Sequence, residues 1–282
     1  MIRPKMNSQK VMLISDIELS KKLERTEARA NADFVETRAR LDPASGAAWI
    51  EVGGAYAMFD GVGSPLTQTF GAGVFEELTG EYLDELEEFF KSRGTDVFHE
   101  ISPMADQAIL TLLAERGYRP IELTSVMVQT LDPSREPRTQ QNQDISTRLV
   151  SKDESDLWAS IAAEGWATIH PDLFNFMKGI GTVSVQTKGG HPFLAELDGR
   201  PVAAGGFSIY EDVCILAGAS TIPSARRQGA QNALLTARLN YAESLGCTLA
   251  MMCALPGSQS QKNAQRNGFE IAYTRIKWQL KD

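Results

Sequence analysis

Cysteine and histidine are scarce, with three of each in 282 residues. Cys214, Cys247 and Cys253 form no C-x-x-C pair, and His99, His170 and His191 are widely scattered. That spacing excludes a zinc ribbon and a disulfide framework, so no metal site is expected and a reducing, cytoplasmic setting is. Cys214 and Cys253 sit inside apolar runs, where a free cysteine is a small hydrophobe. Long apolar runs are also missing. Stretches such as 213–219 and 249–255 fall far below the ~18 residues of a membrane helix. The opening MIRPKMNSQKVMLIS has early positive charge but no apolar core ahead of a cleavage site, so no secretory signal is expected. Positive charge is not in excess either: the formal net charge is -8. All of it belongs to residues 1–131, with 13 Lys+Arg against 21 Asp+Glu, whereas residues 132–282 hold 15 of each. An acidic surface repels phosphate backbones and anionic headgroups, which argues against nucleic acid or membrane as the main partner.

What is present is ordinary globular composition, 43% hydrophobic and 23% charged, in a length that suits about two domains of ~150 residues. Residues 132–145 (DPSREPRTQQNQDI) hold two prolines and few apolar side chains, and read as a linker. The two sides of it look alike. Before it, a helical stretch at 78–91 ends at Gly94, an apolar stretch at 97–101 meets Pro103, and a second helix at 105–115 ends at Gly117. After it, a helix at 230–244 ends at Gly246, LAMMCAL meets Pro256, and a helix at 258–266 ends at Gly268. The paired landmarks are 152, 153 and 151 residues apart. Each glycine follows a helical pattern, where a left-handed C-cap favours glycine. An internal duplication is therefore expected, with domains at 1–131 and 146–282.

In the second half, the turn signals Asp198-Gly199 and Glu211-Asp212 separate three strand-like runs, which predicts an antiparallel meander. The expected order is strand, helices, three strands, helix, strand, helix, two strands. His191 is expected in a loop before the meander, Tyr210 and Tyr273 on strands, and Ala230, Leu234, Ala237, Tyr241 and Leu245 along one buried helix face.

The most chemical segment is STIPSARRQGAQN, 220–232, between an apolar strand and that helix. A strand that enters a glycine turn and then a helix presents unpaired backbone N–H groups and the positive end of the helix dipole at one point, which makes an anion cradle. Arg226 and Arg227 add charge, and Gly229 permits close approach. The segment lacks both G-x-x-x-x-G-K-[ST] and G-x-G-x-x-G, excluding a P-loop and a dinucleotide fingerprint. It matches R-x-x-G-x-[GA] at Arg226, Gly229 and Gln231, with Gln in place of the last small residue.

With this turn, the meander containing VAAGGF at 202–207, and Asn267-Gly268-Phe269, residues from about 146 to 280 resemble the GCN5-related N-acetyltransferase (GNAT) superfamily. The resemblance implies an α/β (α+β) fold, here two tandem GNAT-like domains, each a mixed, mostly antiparallel sheet flanked by helices. It implies acetyl-CoA or coenzyme A as cofactor. Arg226, Arg227, Gln228, Gly229, Ala230, Gln231 and Asn232 would then surround the pyrophosphate, Ser220, Thr221 and Ile222 the pantetheine, with Asn263 nearby. Many members place a tyrosine as general acid four residues before the Gly-Phe pair; this chain has Ala264. No catalytic residue is identified, and the candidates are Glu164, His170, Asp172 and Asn263.

The first half looks like a degenerate copy. Gln68, Gly71 and Gly73 formally match Q-x-x-G-x-G, but the repeat spacing puts the phosphate turn near Glu77, in Phe75-Glu76-Glu77-Leu78, where carboxylates repel an anion. Tyr56, Phe59, Gln68 and Phe70 become candidates for shaping the acceptor pocket. The expected function is an acyl-CoA-dependent N-acyltransferase acting by direct transfer on a small-molecule amine, as a monomer or homodimer. The alternatives are a non-catalytic acyl-CoA sensor and a protein N-acetyltransferase.

Overall fold

The structure is a computed structural model describing residues 14–167 and 173–281. In chain order it contains α1 (Ile17–Leu41), β1 (Ala48–Val52), β2 (Ala55–Phe59), β3 (Gln68–Phe70), α2 (Gly80–Lys91), β4 (Val97–Ile101), α3 (Ala108–Glu115) and β5 (Arg119–Thr130). There follow β6 (Ile145–Leu149), α4 (Ser155–Ala167), α5 (Phe174–Gln186), β7 (Gly190–Leu197), β8 (Arg200–Tyr210), β9 (Val213–Thr221), α6 (Ala230–Ser244), β10 (Leu249–Ala254), α7 (Gln259–Arg266) and β11 (Glu270–Leu280). None of these helices is long and apolar enough to cross a membrane.

Local chemistry sets the boundaries. Asp198 and Gly199 both take positive φ, 51° and 72°, the two-residue turn whose twist suits a hairpin. Together with the turn at Glu211, this makes β7, β8 and β9 the expected meander. Gly94 and Gly246 follow α2 and α6, Gly117 and Gly268 follow α3 and α7, and all four are left-handed with φ between 65° and 91°. The repeat read from their spacing is present as matching series, β1-β2-β3-α2-β4-α3-β5 and β7-β8-β9-α6-β10-α7-β11. The buried face of α6 departs from expectation at its end. The helix stops at Ser244, so Leu245 is exposed, and Arg238 is buried instead, donating to the Gly206 carbonyl at 3.0 Å.

The two series share one sheet of eleven strands, ordered β1-β2-β3-β4-β11-β5-β10-β9-β8-β7-β6. Each half lends its last strand to the other. β11 pairs with β4 from Ile276↔Ile101 to Leu280↔Val97, and β5 pairs with β10 from Leu249↔Thr130 to Ala254↔Ser125. The two exchanged strands also pair with each other, antiparallel. The second half therefore ends in one strand of its own rather than the expected two. Residues 270–280 contain no turn residue to divide them, and β5 fills the other place.

α1 lies across this exchange, packing on β2 and β3 of the first half and on β8 and β9 of the second. The Arg275 side chain on β11 is 1% exposed beneath it. Its guanidinium donates to Glu27 Oε2 at 2.7 Å and Glu24 Oε2 at 3.4 Å, and its Nε lies 3.6 Å from Glu100 Oε2 on β4. Tyr273 donates to Glu24 Oε1 at 2.8 Å. Three carboxylates around one guanidinium leave surplus negative charge out of water. Burial pushes the Glu24 and Glu100 carboxyls above the usual range, more than Arg275 pulls them back.

Arg275→Ala would leave those carboxylates buried without their cation, and is expected to lower the unfolding free energy by about 3 kcal/mol at neutral pH, measured by urea titration. Glu24 and Glu100 bind protons more tightly folded than unfolded. Their contribution is thus present at acid pH and lost as pH rises through the raised folded values. Removing the arginine raises those values further, so the deficit should shrink between about pH 7 and about pH 4. An equal deficit at both would overturn this reading of the charges.

Candidate functional site

The glycine turn is built at the end of β9. A 3-10 turn, Pro223–Ala225, leads to Arg227 with φ 64° and Gly229 with φ 94°, and α6 begins at once. No side chain caps the first turn of α6, so its leading N–H groups and the positive end of its dipole face outward. The linker folds over this point. Asn142 donates to the Gln228 carbonyl at 2.9 Å, the Arg138 backbone exchanges two hydrogen bonds with Asn240, and Arg138 pairs with Glu243. Gln141, Asn142, Arg227, Gln228, Gly229 and Asn232 bound an open cleft of about 550 Å³.

The expected cofactor residues divide into builders and free groups. Arg226 is a builder, donating to the Thr221 carbonyl at 3.3 Å and the Gly165 carbonyl of α4 at 2.9 Å. Ser220 donates to the Ala162 carbonyl at 2.9 Å, where α4 comes so close that a β-carbon on Gly165 would stand 2.5 Å from the hydroxyl. Ile222 N donates to the Val202 carbonyl at 2.9 Å, and Ala230 is buried. Gln231 folds back to donate to Thr221 Oγ1 at 2.8 Å, so its bulk lies along the turn. Arg227 is exposed at the cleft. Asn267 on the α7 side reaches the Asn232 side chain at 3.4 Å.

Beyond the turn, β9 parts from β10. The two pair in parallel for only three positions, 213–215 with 249–251, and β9 then runs on to Thr221 with no β10 partner. A register shift against β8 between Ala204 and Gly206, with φ 67° at Gly218, marks a bulge at the parting. Ala217 and Gly218 are exposed there in mid-strand, as bulges that re-aim a strand beside a site allow. Next to them lies a cavity of about 250 Å³, walled by Glu27, Asn31 and Phe34 of α1, Leu66, Trp158 of α4 and Ile180 of α5. Trp158 is held by a hydrogen bond to the Phe193 carbonyl at 3.0 Å.

Of the catalytic candidates, Glu164 is exposed on α4 and lines neither space. Asn263 accepts from Gln259 at 2.7 Å within α7. His170 and Asp172 lie outside the described residues. His191 is in β7 rather than a loop, its ring 4.7 Å from that of Phe207, and burial lowers its pKa. Tyr56, Phe59, Gln68 and Phe70 do not line the cavity: Tyr56 stacks on Trp49, Phe59 and Gln68 are buried, and Phe70 is buried with the Arg275 guanidinium 5.0 Å over its ring. The N-terminal contribution comes from α1 and Leu66 instead. α1 carries no clear signal in the sequence because its buried face includes Ser20, Glu24 and Thr26, which blur an apolar stripe.

The matching turn of the first half is closed. Thr79 caps α2 by accepting from Tyr82 N at 3.2 Å. The Phe75 side chain packs so tightly that β-carbons on Gly54 and Gly71 would stand 2.5 and 2.8 Å from it, and the Arg25 guanidinium covers its ring at 4.2 Å.

Residues 153–269 match the acetyltransferase (GNAT) family. No match was found among curated proteins. Among solved structures, the chain is similar to a GCN5-related N-acetyltransferase from Kribbella flavida (18% identity, 93% of this chain and 95% of that one, TM-score 0.62). It is also similar to a tandem GNAT protein from the clavulanic acid biosynthesis pathway (12% identity, 80% and 78%, TM-score 0.58). A third is a GCN5-related N-acetyltransferase from Sphaerobacter thermophilus (16% identity, 71% and 67%, TM-score 0.52). Residues 153–269 are thus similar to the acetyltransferase (GNAT) family, and the chain as a whole has a fold similar to that of a tandem GNAT protein.

Proposed function

We propose that this protein is an acyl-CoA-dependent N-acyltransferase that uses acetyl-CoA and acts on a small amine in its C-terminal half. One observation carries the reading: the stretch of β9 without a β10 partner runs from the cavity wall at Ala217 and Gly218 toward the turn at the uncapped start of α6. The residues present fit the cofactor. Backbone N–H groups from Gln228 to Asn232 and the Arg227 guanidinium would hold the pyrophosphate, and the unpaired edge of β9 at 216–221 offers N–H and C=O groups to an amide-bearing arm. When bound, acetyl-CoA supplies an activated thioester carbonyl. The protein then contributes mainly position and polarisation, by aligning the reacting atoms and by N–H groups aimed at developing charge.

Ala264, 2% exposed at the position where a tyrosine acid would stand, favours a second reading, a non-catalytic acyl-CoA sensor. Thiol release across a panel of amines separates the two. Turnover with any acceptor removes the sensor, and tight binding without turnover supports it.

Acetyl-CoA should protect the parent protein against heat. Gly229→Trp, whose β-carbon would stand at a left-handed position 3.5 Å from Asn142 Cβ with an indole beyond it, should abolish that protection. Equal protection of the variant would overturn the cofactor site. The two arginines should separate as well. Arg226→Ala is expected to lower the ligand-free melting temperature by about 2–4 °C through lost hydrogen bonds. Arg227→Ala should leave that temperature unchanged but weaken acetyl-CoA binding in a salt-dependent way. The reverse pattern would show the assignments to be wrong.

A further inference from the structure

The cavity beside Ala217 and Gly218 has one unusual wall. α1 belongs to the first half and lies outside the residues matched to the family, 153–269, yet it supplies Glu27. Among the described residues, Glu27 is the one carboxylate lining the cavity, and no described lysine or arginine joins it there. Its Oε2 accepts from Arg275 at 2.7 Å and from the Cys253 thiol at 3.2 Å, whereas no described residue hydrogen-bonds Oε1. The thiol stays protonated, its pKa raised by burial. The carboxylate is therefore fixed at one oxygen and open at the other, on a side chain 13% exposed. Around it the walls are largely apolar, with Phe34, Leu66, Trp158, Ile180 and Ile215. At about 250 Å³ the space lies just under the range of about 300–1,000 Å³ that takes drug-sized ligands.

We infer that Glu27, lent by the first half, anchors the ammonium group of the acceptor, and that the acceptor is a compact monoamine with an apolar body. The inference rests on the acyltransferase reading and adds the class of acceptor and the residue that selects it. A single fixed anion in a largely apolar pocket attracts one cation and repels a carboxylate, for which the described lining offers no lysine or arginine. In the reaction, Glu27 Oε1 takes one proton from the ammonium and later releases it to solvent. The freed amine nitrogen forms the C–N bond to the thioester carbonyl, the C–S bond breaks with its electron pair going to sulfur, and a second nitrogen proton goes to that sulfur.

The test compares 2-phenylethylamine, glucosamine and phenylalanine as acceptors with acetyl-CoA, and measures 2-phenylethylamine binding by calorimetry without cofactor. The parent should prefer 2-phenylethylamine by about tenfold or more in kcat/KM. Glu27→Gln should raise its KM and Kd by about tenfold, the scale of a charged hydrogen bond, with the acetyl-CoA KM within about twofold of the parent. Since Glu27 also touches Arg275, Leu66→Trp provides a variant outside the ion cluster; filling the cavity, it should abolish amine binding and leave heat protection by acetyl-CoA intact. Preference for glucosamine or phenylalanine, or an unchanged amine Kd in both variants, overturns the inference. So does protection of the parent by acetyl-CoA with no amine bound or turned over. No protection of the parent at all would instead overturn the acyltransferase reading.

Discussion

Because β11 pairs with β4 on one side and β5 on the other, while β5 pairs in turn with β10, neither half of the chain has a complete sheet of its own. That exchange fixes the relative position of everything else. It brings Arg275 of the second half beneath α1 of the first, and the guanidinium then holds Glu24, Glu27 and Glu100 around one point. Burying one cation among three carboxylates is not a route to stability in itself, and an apolar cluster would serve the fold as well. Here it sets the rotation and height of α1 on the sheet, and α1 forms a wall of the cavity.

The two halves share an order of elements and differ at their turns. In the second half, α6 starts from a left-handed glycine with no cap, and Gln231 folds back onto Thr221. In the first, Thr79 satisfies the start of α2, and Phe75 packs against the β1–β2 hairpin glycine Gly54. The first half thus has side-chain packing where the second has an uncapped helix start, while its α1 and Leu66 build part of its neighbour's cavity. Its acidic surface fits that division of labour.

The parts of this arrangement that depend on local chemistry were legible in the sequence. Gly94, Gly117, Gly246 and Gly268 mark helix ends because only a residue without a β-carbon takes that backbone cheaply, and Asp198-Gly199 marks a hairpin for a similar reason. The turn at 226–229 was legible because its chemistry is contiguous. The strand exchange was not, since β5 and β11 look alike as strands and nothing local in either says which neighbour it will take. Glu27 was hidden for a related reason: its significance comes from Arg275 and Cys253, more than 220 residues away along the chain.

The exchanged strand also has a consequence for how the molecule is made. β11 follows every other described strand in synthesis, yet it sits between β4 and β5 near the middle of the sheet. A nascent first half therefore leaves the ribosome with the β4 edge bare, and Glu24, Glu27 and Glu100 must wait in water for their cation. Such an edge is a ready partner for the wrong strand, including β11 from another copy. The linker, tied down at Asn240, Glu243 and Gln228, holds the second half close and so raises the effective concentration of the correct strand over any competitor.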